Sequence, residues 1–301
     1  MSQTAILFPG QGAQYVGMGV ALAEKYASVQ SLYDQAAQIL GFNLLEICKN
    51  GPAERINATD ISQPALFVAS FAALHDLEQT EPEALAACAM TAGLSLGEYS
   101  ALAFAGAIDF ETGLRLVHLR GTVMQMAAEK IPSTMASILL LDESTLEELV
   151  RQAQSKGLVR IANYLCPGNL VISGVIPAVQ EVEKLAQAAG GKTIRLSVAG
   201  AFHTSVMDPA MSPLSDALKK VGFVAPRIPV FSNVTGVPHC APESISELLA
   251  KQVVEPVRWE ACIRQMIALG VDKFYEVGPG RILAGLLKRI DRKLPCVNIA
   301  G

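Results

Sequence analysis

Residues 4–8, Thr-Ala-Ile-Leu-Phe, carry a short unbroken apolar run that Pro9 and Gly10 stop, which predicts a buried first strand leading into a glycine-rich loop. From Val20 to Leu40, and again from Gln63 to Gln79, apolar residues return at helical spacing. Pro64 suits the first turn of the second helix, where its missing N–H would have no partner anyway. Residues 85–92, LAACAMTA, are apolar on both faces, as expected of a central parallel strand covered by helices on each side. Helical spacing resumes after Gly97, so a strand, a tight turn and a helix surround Ser95.

A different rhythm begins near Pro132. MASILLL (135–141), a helix from Ser144 to Ala153, VRIANYL (159–165), LVISG (170–174), a helix from Pro177 to Ala189 and KTIRLSV (192–198) give the order βαββαβ. That order predicts a small ferredoxin-like subdomain over 131–198, inserted into a larger α/β core made of 1–130 and 199–301. The core pattern resumes with IPVFSNV (228–234), helices around 246–252 and 259–269, the strand KFYEVG (273–278) and a final helix. No internal repeat or low-complexity tract interrupts it.

Composition narrows the function class. With 51% hydrophobic and 17% charged residues in 301, the chain reads as a globular α/β enzyme rather than a disordered or nucleic-acid-binding protein. A formal charge of −4 and the absence of long basic runs give no general attraction to nucleic acid or to an anionic membrane. Cys48, Cys88, Cys166, Cys240, Cys262 and Cys296 are dispersed, without the close pairs of a zinc or dithiol site, and are expected to be reduced thiols. No signal peptide or membrane-spanning run is apparent, so a cytoplasmic protein without a metal is the expectation.

The loop FPGQGAQYVGMG (8–19) invites comparison with phosphate cradles and fails it. Gly10 and Gly12 would begin G-x-G-x-x-G, but Tyr15 takes the last position; Gly12 and Gly17 have P-loop spacing, but Met18 stands where a lysine is needed. The loop can still present main-chain N–H groups to an oxyanion. GLSLG (93–97) fits a nucleophile elbow, in which two glycines let the chain turn sharply beneath Ser95. The same stretch fits a capping box, with Ser95 as N-cap and Glu98 three residues on.

A serine nucleophile needs a base. His75 and His118 lie within helical segments, and His239 stands beside Pro238 in a turn. His203, in the loop VAGAFHTS after the last strand of the insert, is the best placed of the four to reach another loop.

Taken together, FPGQGAQ, GLSLGEYSAL, HLRG (118–121) with Met124 and Gln125 following, ANYLCPGNLVISG (162–174), GAFHT, FSNVTG and QVVEPVRW resemble the malonyl-CoA:acyl carrier protein transacylases, in order from about residue 5 to 285. The resemblance implies an α/β-hydrolase-like core with a parallel sheet plus the ferredoxin-like insert. It implies that malonyl-CoA acylates Ser95, that His203 is the base and that the malonyl group passes to the phosphopantetheine thiol of acyl carrier protein, with no cofactor, in support of fatty acid biosynthesis. By the same resemblance the amides of Gln11 and Leu96 hold the oxyanion, and Gln252 orients the imidazole in place of a triad acid.

Arg120 would bind the malonyl carboxylate through paired charge-assisted hydrogen bonds. Phe202 would crowd an α-methyl branch, and Met124 and Gln125 would line the pocket. Many members carry histidine before the serine; this chain has Leu94. A polyketide-serving acyltransferase would share the chemistry and differ in carrier, whereas an acyl-enzyme hydrolase would leave Arg120 without a purpose. The cationic segment Pro279–Lys293, with Arg281, Lys288, Arg289, Arg292 and Lys293, is a candidate surface for an acidic carrier, although cations near a helix C-terminus also favour its dipole.

Overall fold

The computed structural model describes residues 3–300; residues 1, 2 and 301, which the expected core boundaries include, lie outside them. In chain order the described strands are β1 (Gln3–Phe8), β2 (Cys88–Gly93), β3 (Ser133–Leu139), β4 (Val159–Cys166), β5 (Asn169–Val175), β6 (Lys192–Arg195), β7 (Val230–Phe231), β8 (Val271–Val277) and β9 (Cys296–Ile299). Five of them make one sheet in the order β7-β2-β1-β8-β9, with every neighbouring pair parallel. The unbroken apolar run of β1 is explained by its central place: Ile6 and Phe8 pack into one core layer, Ala5 and Leu7 into the other with Trp259, Ile263 and Leu287.

The second sheet has the order β4-β5-β3-β6, all antiparallel, which is the strand order of a ferredoxin-like βαββαβ unit. Helices Glu143–Ala153 and Ile176–Ala188 bury Leu146, Val150, Val179 and Val182 against Ile138 and Ile172, so this sheet has a core of its own. Asn163 bridges Val257, and Ser173 Oγ donates to the Phe202 carbonyl at 2.7 Å, which ties the small sheet to the loop that carries His203.

Several element boundaries differ from the expected ones. The 20–40 stretch is two helices, Val20–Lys25 and Ala27–Leu40, because Tyr26 is extended between them (φ −124, ψ 120). Pro64 lies inside helix Thr59–Thr80 rather than at its first turn. This helix is buried on nearly every side from Thr59 to Ala73, so packing outweighs the one hydrogen bond the proline removes. Leu85 and Ala86 belong to the short helix Pro82–Ala86, whose start is set by Pro82, and β2 begins only at Cys88. Strand β6 stops at Arg195, β7 is two residues long, and the half-buried edge strand β9 had no sequence signal.

Candidate active site

Strand β2 ends in a turn that sets Ser95 at φ 49, a left-handed conformation costly to any residue with a Cβ, by about 1–3 kcal/mol. The neighbours make the turn possible. A Cβ on Gly93 would lie 1.8 Å from the Gly97 carbonyl carbon, and one on Gly97 would lie 2.3 Å from the Phe8 oxygen. Asn233 holds the turn from below: its Oδ1 accepts from Ser95 N at 2.6 Å, and its Nδ2 donates to the Gly93 carbonyl at 2.8 Å. The capping box does not form. Helix Gly97–Phe104 has no side-chain cap, Ser95 Oγ is turned to His203 and Arg120, and the Glu98 carboxylate points into the core.

His203 is also left-handed (φ 60) and is pinned from two directions. Its main-chain N–H donates to the Val253 carbonyl at 3.0 Å and its Nδ1–H to the Gln252 carbonyl at 2.7 Å, leaving Nε2 to accept from Ser95 Oγ at 3.0 Å. Burial, reinforced by the nearby Arg120 charge, pushes the imidazole down to about 4, so the ring is neutral at physiological pH with Nε2 free to accept a proton. The orienting group of Gln252 is therefore its main-chain carbonyl. The Gln252 side chain, to which the resemblance gave that task, turns elsewhere: Nε2 donates to Ser95 O at 3.0 Å and to Glu98 Oε2 at 2.6 Å, and Oε1 accepts from Arg120.

Arg120 projects from helix Phe110–Ala128 and is 1% exposed. Its hydrogen-bond partners are neutral: Gln63 Oε1 at 2.8 Å, Ser95 Oγ at 2.9 Å and Gln252 Oε1 at 3.0 Å. Its Nε is buried without an acceptor among the described residues, and its guanidinium carbon stands 5.6 Å from the centre of the Tyr99 ring. Burial lowers its pKa, against the pull of Tyr99 and Glu98, but a guanidinium stays charged. Because Oγ accepts from Arg120, the hydroxyl proton is directed at His203.

These groups open into a cavity of about 70 Å³ lined by Gln11, Ser95, Arg120, Met124, Phe202 and His203, with Asn163, Leu196 and Val198 from the side of the small sheet. Among the described residues the N–H groups of Gln11 and Leu96 have no protein acceptor, so both can donate to an incoming oxygen. Gln125 does not line the cavity. It turns to Thr59, whose N–H it accepts at 3.2 Å.

Sequence reading overlooked the polar support beneath these groups. Gln63 and Asn233 are buried and bond Arg120 and Ser95, Glu98 and His239 stand behind Gln252, and Asn163, which lines the cavity, has its Oδ1 buried without a partner among the described residues. His239 lies past the turn rather than in it, beside the Phe231–Pro238 bridge with its N–H donating to the Val230 carbonyl at 2.9 Å, and its Nε2 meets Glu98 Oε1 at 2.9 Å. The available signal was FSNVTG itself: an asparagine just past a buried strand can bond a neighbouring turn.

The chain matches the acyl transferase domain family over residues 6–294. It is 40% identical over 291 residues to a malonyl CoA-acyl carrier protein transacylase of Escherichia coli (strain K12), covering 96% of this chain and 93% of that protein. It is 41% identical over 298 residues to a mitochondrial malonyl-CoA-acyl carrier protein transacylase of Homo sapiens, covering 95% and 76%. A solved structure of a type II PKS acyl-carrier protein in complex with its malonyl-transacylase superposes with a TM-score of 0.94 at 35% identity, covering 99% of this chain and 96% of the other. With the two sheets, the strained serine and the likeness along almost its whole length, this chain belongs to the acyl transferase domain family, among the malonyl-CoA–acyl carrier protein transacylases.

Proposed function

We propose that this protein transfers the malonyl group of malonyl-CoA to the phosphopantetheine thiol of an acyl carrier protein, through a malonyl ester on Ser95. One observation carries the reading: a buried guanidinium with neutral partners donates to the oxygen of the strained serine. A buried cation is stable when an anion completes it. A free carboxylate three carbons long, attached by its far end to Ser95, supplies that anion.

In the first half-reaction Ser95 Oγ attacks the thioester carbon as its proton passes to His203 Nε2. The N–H groups of Gln11 and Leu96 hold the oxyanion that results. Collapse expels the CoA sulfur, which takes the proton from the imidazolium and leaves as the thiol. The carrier thiol then gives His203 its proton and attacks the ester, and the proton returns to Ser95 as it leaves. Arg120 holds the malonyl carboxylate through both steps, and Met124 and Phe202 shape the acyl pocket.

The division into a core of 1–130 and 199–301 and an insert of 131–198 belongs to the same reading, since the cavity is walled by residues from each side of that division. So does a cytoplasmic location serving fatty acid synthesis. Among the described residues no helix is long and apolar enough to cross a membrane. The likeness to the polyketide complex favours one second reading, in which the carrier belongs to a polyketide synthase. On the cationic C-terminal segment, Lys288, Arg292 and Lys293 are exposed, and Arg289, although exposed as well, is engaged with the Pro167 and Gly168 carbonyls at 2.9 Å each. A carrier would meet the first three.

The test isolates the enzyme after incubation with malonyl-CoA and then adds holo carrier protein. Transfer predicts that the carrier gains one malonyl group as the enzyme returns to its starting mass. Free malonate beside an unloaded carrier would instead identify a hydrolase. Relative kcat/KM for fatty acid and polyketide carriers separates the two carrier readings.

A further inference from the structure

One buried carboxylate near the nucleophile takes no part in the transfer chemistry. Glu98 lies in the first turn of helix Gly97–Phe104, is 0% exposed, and accepts three hydrogen bonds. Asn233 N and Gln252 Nε2 reach Oε2 at 2.9 and 2.6 Å, and His239 Nε2 reaches Oε1 at 2.9 Å. Gln252 thus stands between two charges, with Oε1 on Arg120 and Nε2 on Glu98. A carboxylate can only accept and a guanidinium can only donate, so one orientation of the Gln252 amide satisfies both. In a dry interior such a chain of hydrogen bonds is mutually strengthening and directional.

His239 extends the chain outward. Its side chain is 1% exposed, its Nε2 is spent on Glu98, and its Nδ1 has no partner among the described residues. The imidazole therefore holds Glu98 and nothing else by hydrogen bonding from its ring.

We propose that Glu98, held by His239, is a positioning residue for recognition of the substrate carboxylate. It fixes the Gln252 amide, which fixes Arg120 Nη2, and the guanidinium is thereby aimed at the acyl group's anionic end while Gln63 steadies the other Nη. Neither Glu98 nor His239 lines the cavity, so both act through other residues. This inference rests on the malonyl reading above and deepens it: acyl selectivity depends on residues that never touch the acyl group.

The experiment compares Ser95 acylation by malonyl-CoA and acetyl-CoA in the wild type and three variants, with melting temperature recorded for each. Glu98→Gln keeps the shape but puts an NH2 group where only acceptors stood, so the Gln252 amide can face either way. The malonyl rate is expected to fall about tenfold, the scale of one charge-assisted hydrogen bond, with the acetyl rate changed less than about threefold. His239→Phe removes one of three donors and is expected to give a smaller loss in the same direction. His239→Gln, whose NH2 can donate to Oε1, is expected to restore the wild-type ratio.

Equal losses with both thioesters would overturn the proposal, because they would mark Glu98 as support for the fold. An unchanged malonyl-to-acetyl ratio in Glu98→Gln and His239→Phe would also overturn it. If Glu98→Gln does not fold, the pair of His239 variants decides by the same criterion. A wild type with no malonyl preference would overturn the transfer reading and this proposal together, whereas a wild-type preference that the variants keep overturns this proposal alone.

Discussion

The small antiparallel sheet and the C-terminal edge of the large parallel sheet follow different rules. In the small sheet most local choices agree with the fold, the exception being Leu140 just after β3, which has φ 69 and an exposed side chain. Asp142 caps helix Glu143–Ala153 through Thr145 N at 2.7 Å, apolar positions at helical spacing fill the core, and Leu146 and Val179 are fully buried. At the edge of the large sheet the rules are broken in concert: Ser95 and His203 have positive φ, Arg120 and Glu98 are buried charges, and Gln63, Asn233 and Gln252 are buried polar side chains. Local consistency stabilises a scaffold, while local violations must be held by neighbours and are where chemistry is found. The first region should answer mutation in stability, the second in activity.

The largest effect is expected from His203→Ala, which should slow both acylation and transfer by ~10² to 10⁴ while the protein stays folded; stopped-flow release of CoA checks it. Next, Leu146→Ala should lose about 2–5 kcal/mol of stability in a denaturant titration, with the acylation rate of the remaining folded protein unchanged. A loss of rate per folded molecule there would break the comparison.

The third concerns pH. Because burial holds His203 down to about 4 from an ordinary 6.5, the unfolded chain binds a proton that the folded chain refuses. The stability this group contributes is complete above pH 6.5 and is lost as pH falls from 6.5 toward 4, in all about 3 kcal/mol. His203→Ala should therefore flatten the pH dependence of the urea midpoint across that window. The wild-type kcat/KM for acylation should fall on an acid limb near 4, well below that of an ordinary imidazole.

Arg120→Ala should lower malonyl transfer while sparing or raising acetyl transfer. The preference should change by one to two decades, from about 1.5–3 kcal/mol for a charge-assisted hydrogen bond. Parallel losses would place Arg120 among the fold-supporting residues. The smallest effect belongs to Asp142→Ala, an exposed cap whose loss should lower the melting temperature less than Leu146→Ala does and leave the chemistry untouched.

The same division explains what could be read from sequence. The βαββαβ order of the insert, the strand before Ser95 and the elbow glycines were legible because periodicity and turn chemistry are local. Ser95, His203 and Arg120 could be named, but their convergence is a tertiary fact. Helix Thr59–Thr80 was misplaced at its start because burial on nearly all sides erases amphipathic spacing, and with it went the role of Gln63 beside Arg120. KTIRLSV reads as one strand, yet β6 stops at Arg195; Leu196 keeps one bond to the sheet, its N–H donating to the Met135 carbonyl at 3.0 Å, and with Val198 it walls the cavity. Ser95 and Glu98 fit a capping box, with Ser95 as the N-cap, because the spacing S-x-x-E is identical whether the Glu98 side chain turns outward or in.

The central claim is that the strained Ser95 carries the acyl group. Intact-mass measurement of wild type and Ser95→Ala after brief exposure to malonyl-CoA tests it most directly. One malonyl adduct on the wild type and none on Ser95→Ala, at an unreduced melting temperature, is the predicted result. An undiminished adduct on Ser95→Ala would contradict it and move the nucleophile elsewhere.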